Sequence, residues 1–463
     1  MDEQFDVVVV GAGLAGLSAA ATAAGAGAST LVLDGHHPGG RASTDERGRF
    51  KFNRGPHALY RGGEATAVLT RLGVSTPGAP PPTAGARGRL GDRVEVLPAT
   101  AATLLRSRFL TLRGKLALAR FLSGVKKWRP GEVAGLTIGQ WLDTFHLPED
   151  ARRVALLLVR TTTYVNDEHH VSADVAAGQI QLALANGVLY LDGGWASLVD
   201  ALAAAARRNG AEIRAAAAAT SITGLQASAA GAAVAGRAAR TTDGATDHRA
   251  GGGPITVVVD GREIHAGAVV LAAGTPAADA ALLGGRPSDW VDLGPEVEAS
   301  CLDLGLRRGL EHPVLFGIDP PIYLVDHAGS ATGLAPAGGG LVHVLHYLPL
   351  GDDTPADVLR AGLEEHARLA GVDPSAVEEQ RFLLRMTVVA GVPTPVAGGL
   401  AGRPAIDSTG VAGVYVAGDW VGSRGWLADA ALSSGEAAGR AAAREAARRA
   451  DGVPSRPSRQ DVA

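Results

Sequence analysis

The sequence predicts an α/β protein in which a Rossmann-like domain, assembled from separated segments, is interleaved with an α+β domain holding a mixed sheet and a helical part. Three observations predict this. The first fifty residues alternate strand, glycine turn, helix and strand. A second strand and glycine turn, followed by a helix of small residues, lie about four hundred residues later, between Val414 and Gly439. Strand-like runs and helical patterns of a different character fill the space between them.

The elements follow in order. "FDVVVV" is a short continuous apolar run, as expected of a parallel strand buried on both faces. "GAGLAGLSAAATAAGAG" supplies a turn and a helix, closed by Gly25 and Gly27 before the strand "TLVLD". Between Leu104 and Arg129 stand eight basic residues and no acid, with Phe109, Leu112, Leu116 and Leu122 roughly at helical spacing. This predicts an amphipathic helix with a solvated basic face, or a surface for anionic lipid or acidic substrate. "GGWASLVDALAAAARRNG" predicts a helix stopped at Gly210, and "AEIRAAAAATSITGL" a strand pair. Residues 226–254 read as a loose loop. "ITVVVDGREIHAGAVVLAAG" resumes with a hairpin at Asp260-Gly261 and a buried strand ending at Gly274. Strands are expected at "ASCLDLGLR" and "LVHVLHYLPL", a helix near 354–370, and a disordered tail after Arg449.

Composition narrows the function. Lys+Arg 43 against Asp+Glu 47 gives −4, no global reason to expect nucleic acid. A single cysteine, Cys301, excludes an intrachain disulfide and a cysteine metal cluster, and with the acidic N-terminus points to a cytoplasmic protein. No run reaches the roughly 18–20 apolar residues of a spanning helix.

"GAGLAG" follows a strand and opens a helix. Gly11 permits the tight turn, Gly13 and the neighbouring Ala15 let a pyrophosphate approach, and Gly16 packs helix on strand. The helix N-terminus then faces the phosphates. Asp34, 23 residues after Gly11, can hydrogen-bond ribose hydroxyls. This pattern leaves open whether the dinucleotide is NAD or FAD.

"HHPGGRAST", with Gly40 and Arg41, and "FNRGPHALY" come next, and "VAGDW" ends the late strand. With these motifs the chain resembles the flavoprotein superfamily of amine oxidases, protoporphyrinogen oxidases and phytoene desaturases. The resemblance implies a glutathione-reductase-like FAD-binding domain over 1–80, 190–282 and 396–448. A substrate domain over 81–189 and 283–395 completes it. It implies FAD contacts from Arg41, Ala219, Gly418 and Asp419, with Leu427 and Ala428 at the helix N-terminus beneath the flavin. Asp34 stands where the family usually has Glu. No second strand-GxGxxG-helix unit supports an NAD(P)H site, so the expected electron acceptor is oxygen, a quinone or a carrier protein. Cys301 lies far from the late flavin motif, so noncovalent FAD is expected.

Amine oxidases of the family use a lysine beside the flavin, and this chain has none beyond Lys127. Trp426 falls at a position that flanks the amine in that family. Carotenoid desaturases end with a glycine- and proline-rich motif absent here. The reading is therefore an FAD-dependent dehydrogenase, desaturase or oxidase that takes hydride from a hydrophobic organic metabolite. Alternatives are an amine oxidase, a redox-neutral isomerase or cyclase, and a flavin-less binding protein of the same fold. His57 is the candidate base or flavin-tuning group, with Trp426 and Tyr164 as further catalytic candidates. Tyr60, Trp195, His343 and Tyr347 are candidate pocket residues; His343 and Tyr347 share a strand face that His346 does not. The histidine pairs at 36–37 and 169–170 lack ligand spacing, and no metal is expected. Peripheral membrane contact through 104–129 is the remaining expectation.

Overall fold

The computed structural model describes residues 3–82, 85–226 and 254–451. Along the chain, β1 (Glu3–Val10), α1 (Leu14–Gly25) and β2 (Thr30–Leu33) form the opening unit. The hairpin β3 (Thr44–Arg47) and β4 (Phe50–Asn53) follows, then β5 (Leu59–Tyr60), α2 (Glu64–Arg71), β6 (Gly78–Ala79), β7 (Arg87–Leu90) and β8 (Arg93–Val96). A helical stretch comes next: α3 (Ala101–Arg106), α4 (Leu112–Val125), α5 (Ile138–Asp143), α6 (Glu149–Thr163) and α7 (Ala173–Asn186). Then come β9 (Val188–Leu191), α8 (Trp195–Arg208), β10 (Glu212–Arg214), β11 (Ala219–Thr223), β12 (Ile255–Val259), β13 (Arg262–Leu271) and α9 (Pro276–Leu282). The chain closes with β14 (Val297–Leu306), β15 (Val314–Asp319), β16 (Ile322–Asp326), β17 (Gly340–Tyr347), α10 (Ala356–Leu369), β18 (Val377–Val389), β19 (Val414–Val416) and α11 (Ala428–Ala450).

Two large sheets organise these elements. The first runs β10-β2-β1-β13-β12-β11, with β19 beside the second half of β13. Its strands β10, β2, β1, β13 and β19 are parallel neighbours; Val7 and Val9 of β1 are buried under α1, α8 and α11, and Val8 and Val10 under α9 and the segments carrying Trp290 and Trp420. Strand residues 3–33, 212–271 and 414–416 meet in this one sheet. The second sheet runs β18-β14-β17-β16-β15-β7-β8 and is antiparallel except for the β15–β7 pair. Helix α10 covers one of its faces, and α3–α7 form a separate helical layer with its own core. The chain is thus a mixed α/β fold with a Rossmann-like domain.

Small residues let α1 and α11 interlock. A Cβ on Gly435 or Gly439 would fall 2.2 Å from the carbonyl oxygens of Ala15 and Ala19, so only glycine allows this approach. Ser18 Oγ donates to the Leu432 carbonyl across the same contact. The two helices therefore pack in close parallel contact, Gly435 level with Ala15 and Gly439 with Ala19.

Several expectations are corrected. The 104–129 segment is two helices, α3 and α4, joined by a turn that buries Phe109. The buried stripe of α4 is Gly114, Leu118, Phe121 and Val125, whereas Leu112 and Leu116 point outward. The stretch 211–225 gives two strands, but β10 and β11 lie at opposite edges of their sheet instead of pairing. The last helix continues to Ala450, beyond the expected boundary. The loop expected at 226–254 lies almost wholly outside the described residues, as does the tail from 452 onward.

Candidate functional site

A cavity of about 730 Å³ runs from the glycine turn after β1 to the N-terminus of α11 and on to the inner face of β18. Its first part is made of backbone. Gly11 has φ +105°, and a Cβ there would lie 2.1 Å from the Ala272 carbonyl oxygen. A Cβ on Gly16 would meet the Gly11 oxygen at 1.9 Å, which makes Gly16 a packing residue that does not line the cavity. Gly13 differs: nothing lies within 4 Å of its would-be Cβ, and it lines the cavity beside Ala15. Neither backbone conformation nor packing requires glycine at 13, and it faces open space, the arrangement expected where a ligand approaches the backbone closely.

Both helices that open onto this space start without a side-chain cap. Gly13 caps α1, and Leu427 caps α11 with φ 56° and ψ −129°. A leucine in that region costs about 1–3 kcal/mol and persists only where surrounding structure enforces it. Arg403 supplies that enforcement, donating to the backbone oxygens of Asp419, Gly425 and Arg424. Burial lowers its pKa to about 10, so it stays charged. Threonines cap α3, α4, α5 and α9, whereas α6, α7 and α10 also start without a side-chain cap, away from the cavity. Asp429 caps α2 through the Ala65 amide at 2.6 Å, and Asn53 and Thr44 cap α8. Two uncapped N-termini, each carrying roughly half a positive charge, converge on one cavity.

The charged residues at this end are already partnered. Asp34 accepts from the amides of Ala12 and His36 at 2.7 and 2.8 Å, so it fixes the glycine turn as well as lining the cavity. Arg41 makes two 2.7 Å contacts to the nearly buried Asp419 and also donates to the carbonyls of Val388 and Gly274. Burial opposes the Arg41 charge, but Asp419 outweighs it and raises its pKa. Gly40, Gly418, Leu427 and Ala428 also line the cavity; Ala219, at the start of β11, does not. The turn Ala272–Thr275 completes the wall. Asp279 holds it by accepting from the Ala273 amide, with burial pushing its carboxyl up to about 8.

The far end is mostly aromatic and apolar, with Arg54, Arg385 and Thr387 also in the lining. His57, Tyr60, Tyr164 and Trp195 line it with Phe382, Leu384 and Met386 of β18. Tyr60 and Tyr164 donate their hydroxyls to the Thr162 and Pro56 carbonyls, and burial raises both pKa values. Trp195 is held by the β3–β4 hairpin that caps its helix. Its indole Nε1 is buried without a partner among the described residues. The His57 ring packs on Trp195 at 4.9 Å, and its Nδ1 faces the Gly55 carbonyl at 3.0 Å. A carbonyl only accepts, so Nδ1 carries the proton. Burial lowers the His57 pKa to about 4, leaving the ring neutral.

Besides Ala219, three expected site residues lie away from the cavity lining. Trp426 is buried in the helical layer, its Nε1 donating to the Thr163 carbonyl at 2.9 Å, and does not line the cavity. Tyr347 is buried behind Tyr164, ring centroids 5.8 Å apart. His343 is fully buried, with Nδ1 2.5 Å from Asp303. The face alternation holds, but a layer of side chains separates that face from the cavity.

His343 belongs to a network that sequence reasoning missed. Arg381, Asp303 and His343 stand directly opposite one another on β18, β14 and β17. Arg381 Nε and a terminal nitrogen bind one Asp303 oxygen at 2.9 and 2.6 Å; His343 and the Cys301 thiol bind the other. Burial favours the neutral carboxyl, yet His343 and Arg381 overcome it and hold Asp303 below the ordinary carboxylate range. Burial, with Asp303 beside it, pushes the Cys301 thiol well up. The ligand atoms of Cys301, Asp303 and His343 lie within 4.8 Å of one another, but Asp303 has no oxygen left to offer a metal. The pairs join residues 40 and 78 positions apart, and no local motif signals them.

Residues 9–72 match the NAD(P)-binding Rossmann-like domain family. No curated protein matches the chain. Among solved structures, an oxidoreductase from Methanosarcina mazei is 19% identical with a TM-score of 0.69, covering 93% of this chain and 98% of that one. Putrescine oxidase bound to putrescine is 16% identical with a TM-score of 0.67, covering 96% and 99%. Cyclohexylamine oxidase from Brevibacterium oxydans IH-35A is 18% identical with a TM-score of 0.63, covering 97% and 100%. Over nearly its whole length the chain shares the fold of these three proteins.

Proposed function

We propose that the protein is an FAD-dependent oxidoreductase that takes hydride from a C–H bond of a hydrophobic organic molecule, with FAD held noncovalently. The observation that carries this reading is the single cavity joining two uncapped helix N-termini to an aromatic chamber. The residues suit such a cofactor. Open space over Gly13 and the α1 amides would receive the pyrophosphate, and Asp34 the ribose. The Arg41–Asp419 pair would flank the central chain, while Leu427 and Ala428 present the α11 amides to the ring. When bound, FAD supplies the hydride acceptor; oxygen, a quinone or a carrier protein would then receive the electrons.

The chain's own residues handle position, water and the proton. Tyr60, Tyr164 and Trp195 wall the chamber and exclude water. His57, neutral and wedged against Trp195, is the group placed to accept the proton that accompanies hydride loss.

Apolar substrates are favoured over amines by the state of the acids. Asp34, Asp419 and Asp429 line the cavity, but backbone amides or Arg41 already engage each of them. An ammonium group finds no uncommitted carboxylate among the described lining residues, and the four lysines lie outside the lining. The test is anaerobic titration of the yellow protein with an apolar cyclic or alkene metabolite and, separately, with primary and secondary amines. Bleaching by the apolar compound alone supports the proposal. Bleaching by amines alone overturns it in favour of an amine oxidase. Turnover of the apolar compound without bleaching makes the reaction redox-neutral and also overturns it.

A further inference from the structure

The α3–α4 hairpin carries a surface that the core does not use. Lys115 Nζ donates to the Leu105 carbonyl at 2.7 Å, tying the end of α3 to the first turns of α4. On α4, Leu112, Lys115, Leu116 and Arg120 follow at i, i+3, i+4 and i+8, so they share the face opposite the buried stripe. Leu105, Leu112 and Leu116 are 74%, 76% and 55% exposed. Three such leucines within twelve residues form a projecting apolar ridge, which a solvated face does not need.

The charge around the ridge is unbalanced. Arg106, Arg108, Arg113 and Arg120 are exposed beside it, and Lys126, Lys127 and Arg129 extend the same sign. Elsewhere on the described surface some arginines find acids, Arg71 with Glu436, Arg153 with Glu149 and Arg424 with Glu64, while others such as Arg61, Arg207 and Arg208 form no ion pair but do not gather into a run of one sign flanking exposed leucines. Among the described residues none of the eight basic side chains between 104 and 129 forms an ion pair. Of the acids against this segment, Asp150 accepts from the Thr111 amide and is held below its usual range, burial opposing, and Glu132 accepts from the Arg129 backbone amide.

We propose that this hairpin docks the protein on an anionic lipid bilayer, with Leu105, Leu112 and Leu116 entering the acyl boundary and the basic residues on the headgroups. Apolar residues projecting from a basic field match that interface in both chemistry and arrangement. A second copy of the same face would set like charges against each other. Nucleic acid would satisfy the charges but leave the leucines nothing to bury against.

The test uses the full flavin-loaded chain in cosedimentation with vesicles of phosphatidylcholine, alone or mixed with phosphatidylglycerol. Binding is expected to be about tenfold or more tighter on the anionic vesicles, to weaken with salt, and to fall about tenfold in Leu112→Ser/Leu116→Ser and in Arg113→Glu/Arg120→Glu. These positions are exposed, so the melting temperature of both variants should match the parent. Equal binding to both vesicle types, absence of binding, or unchanged binding by both variants would overturn the proposal. So would lipid-free dimerisation abolished by these variants, or DNA binding that survives the leucine substitutions while vesicle binding is absent.

Discussion

The two ends of the cavity are built on different principles. Around the glycine turn and the start of α11, contacts are made by backbone, and the residue types are those that keep side chains out of the way. Behind the aromatic chamber the contacts are made by side chains, with Arg381, Asp303, His343 and Cys301 filling one another's valences. A backbone cradle left open is a place for a ligand. A side-chain network closed on itself is a place for stability.

The sharpest break of this contrast is Asp303→Ala. It leaves the Arg381 guanidinium buried beside only Asp45 and the Asn53 carbonyl. A loss of about 3–5 kcal/mol is expected, read by chemical denaturation. A loss within the ordinary surface range would mean that the network does not hold the second sheet.

His57→Asn tests the boundary between the two ends. Flavin content should persist while turnover falls about 100-fold. The pH profile carries the sign: the His57 pKa is depressed to about 4, so the neutral ring survives well below neutrality. A rate that depends on it should stay level through the neutral range and decline only as pH approaches about 4. The stability tied to the neutral ring is full above the ordinary 6.5 and lost as pH falls through about 4.

The smallest effect is expected at Asp429, whose carboxyl burial raises to about 6 from 3.8. The folded state then binds its proton more readily than the unfolded chain. The group's stabilising contribution is full below 3.8 and lost as pH rises through about 6. Asp429→Asn, whose amide oxygen can still accept from Ala65, should change neutral-pH stability by less than about 1 kcal/mol and flatten that acid-side gain, checked by melting across pH.

The same contrast explains how far sequence alone carries. Gly11, Gly13, Gly16, Asp34, Arg41, Gly418, Asp419 and Leu427 stand in two short motifs, because a backbone cradle dictates residue type locally. The Asp260-Gly261 hairpin is legible for the same reason, with φ 49° and 73°. The Asp303 network is set by strand register, which only the folded sheet reveals. Trp426 shows the opposite error: its motif is local, but the direction of its ring is fixed by packing against the helical layer. Arg403 and Asp429 stand near the late motif without a spacing that marks them; their roles appear only once the strained turn at Leu427 is in view.

The central claim is that the open cradle holds a flavin, and the most direct measurement is the absorption spectrum of the purified protein beside that of Gly13→Val. The account predicts a flavin spectrum with about one FAD per chain in the parent, reconstituted if lost. It also predicts a colourless variant whose stability is within about 0.5 kcal/mol of the parent, since no protein atom lies within 4 Å of a Cβ there. A parent that takes up no FAD, or a Gly13→Val protein that binds it equally well, would contradict the account.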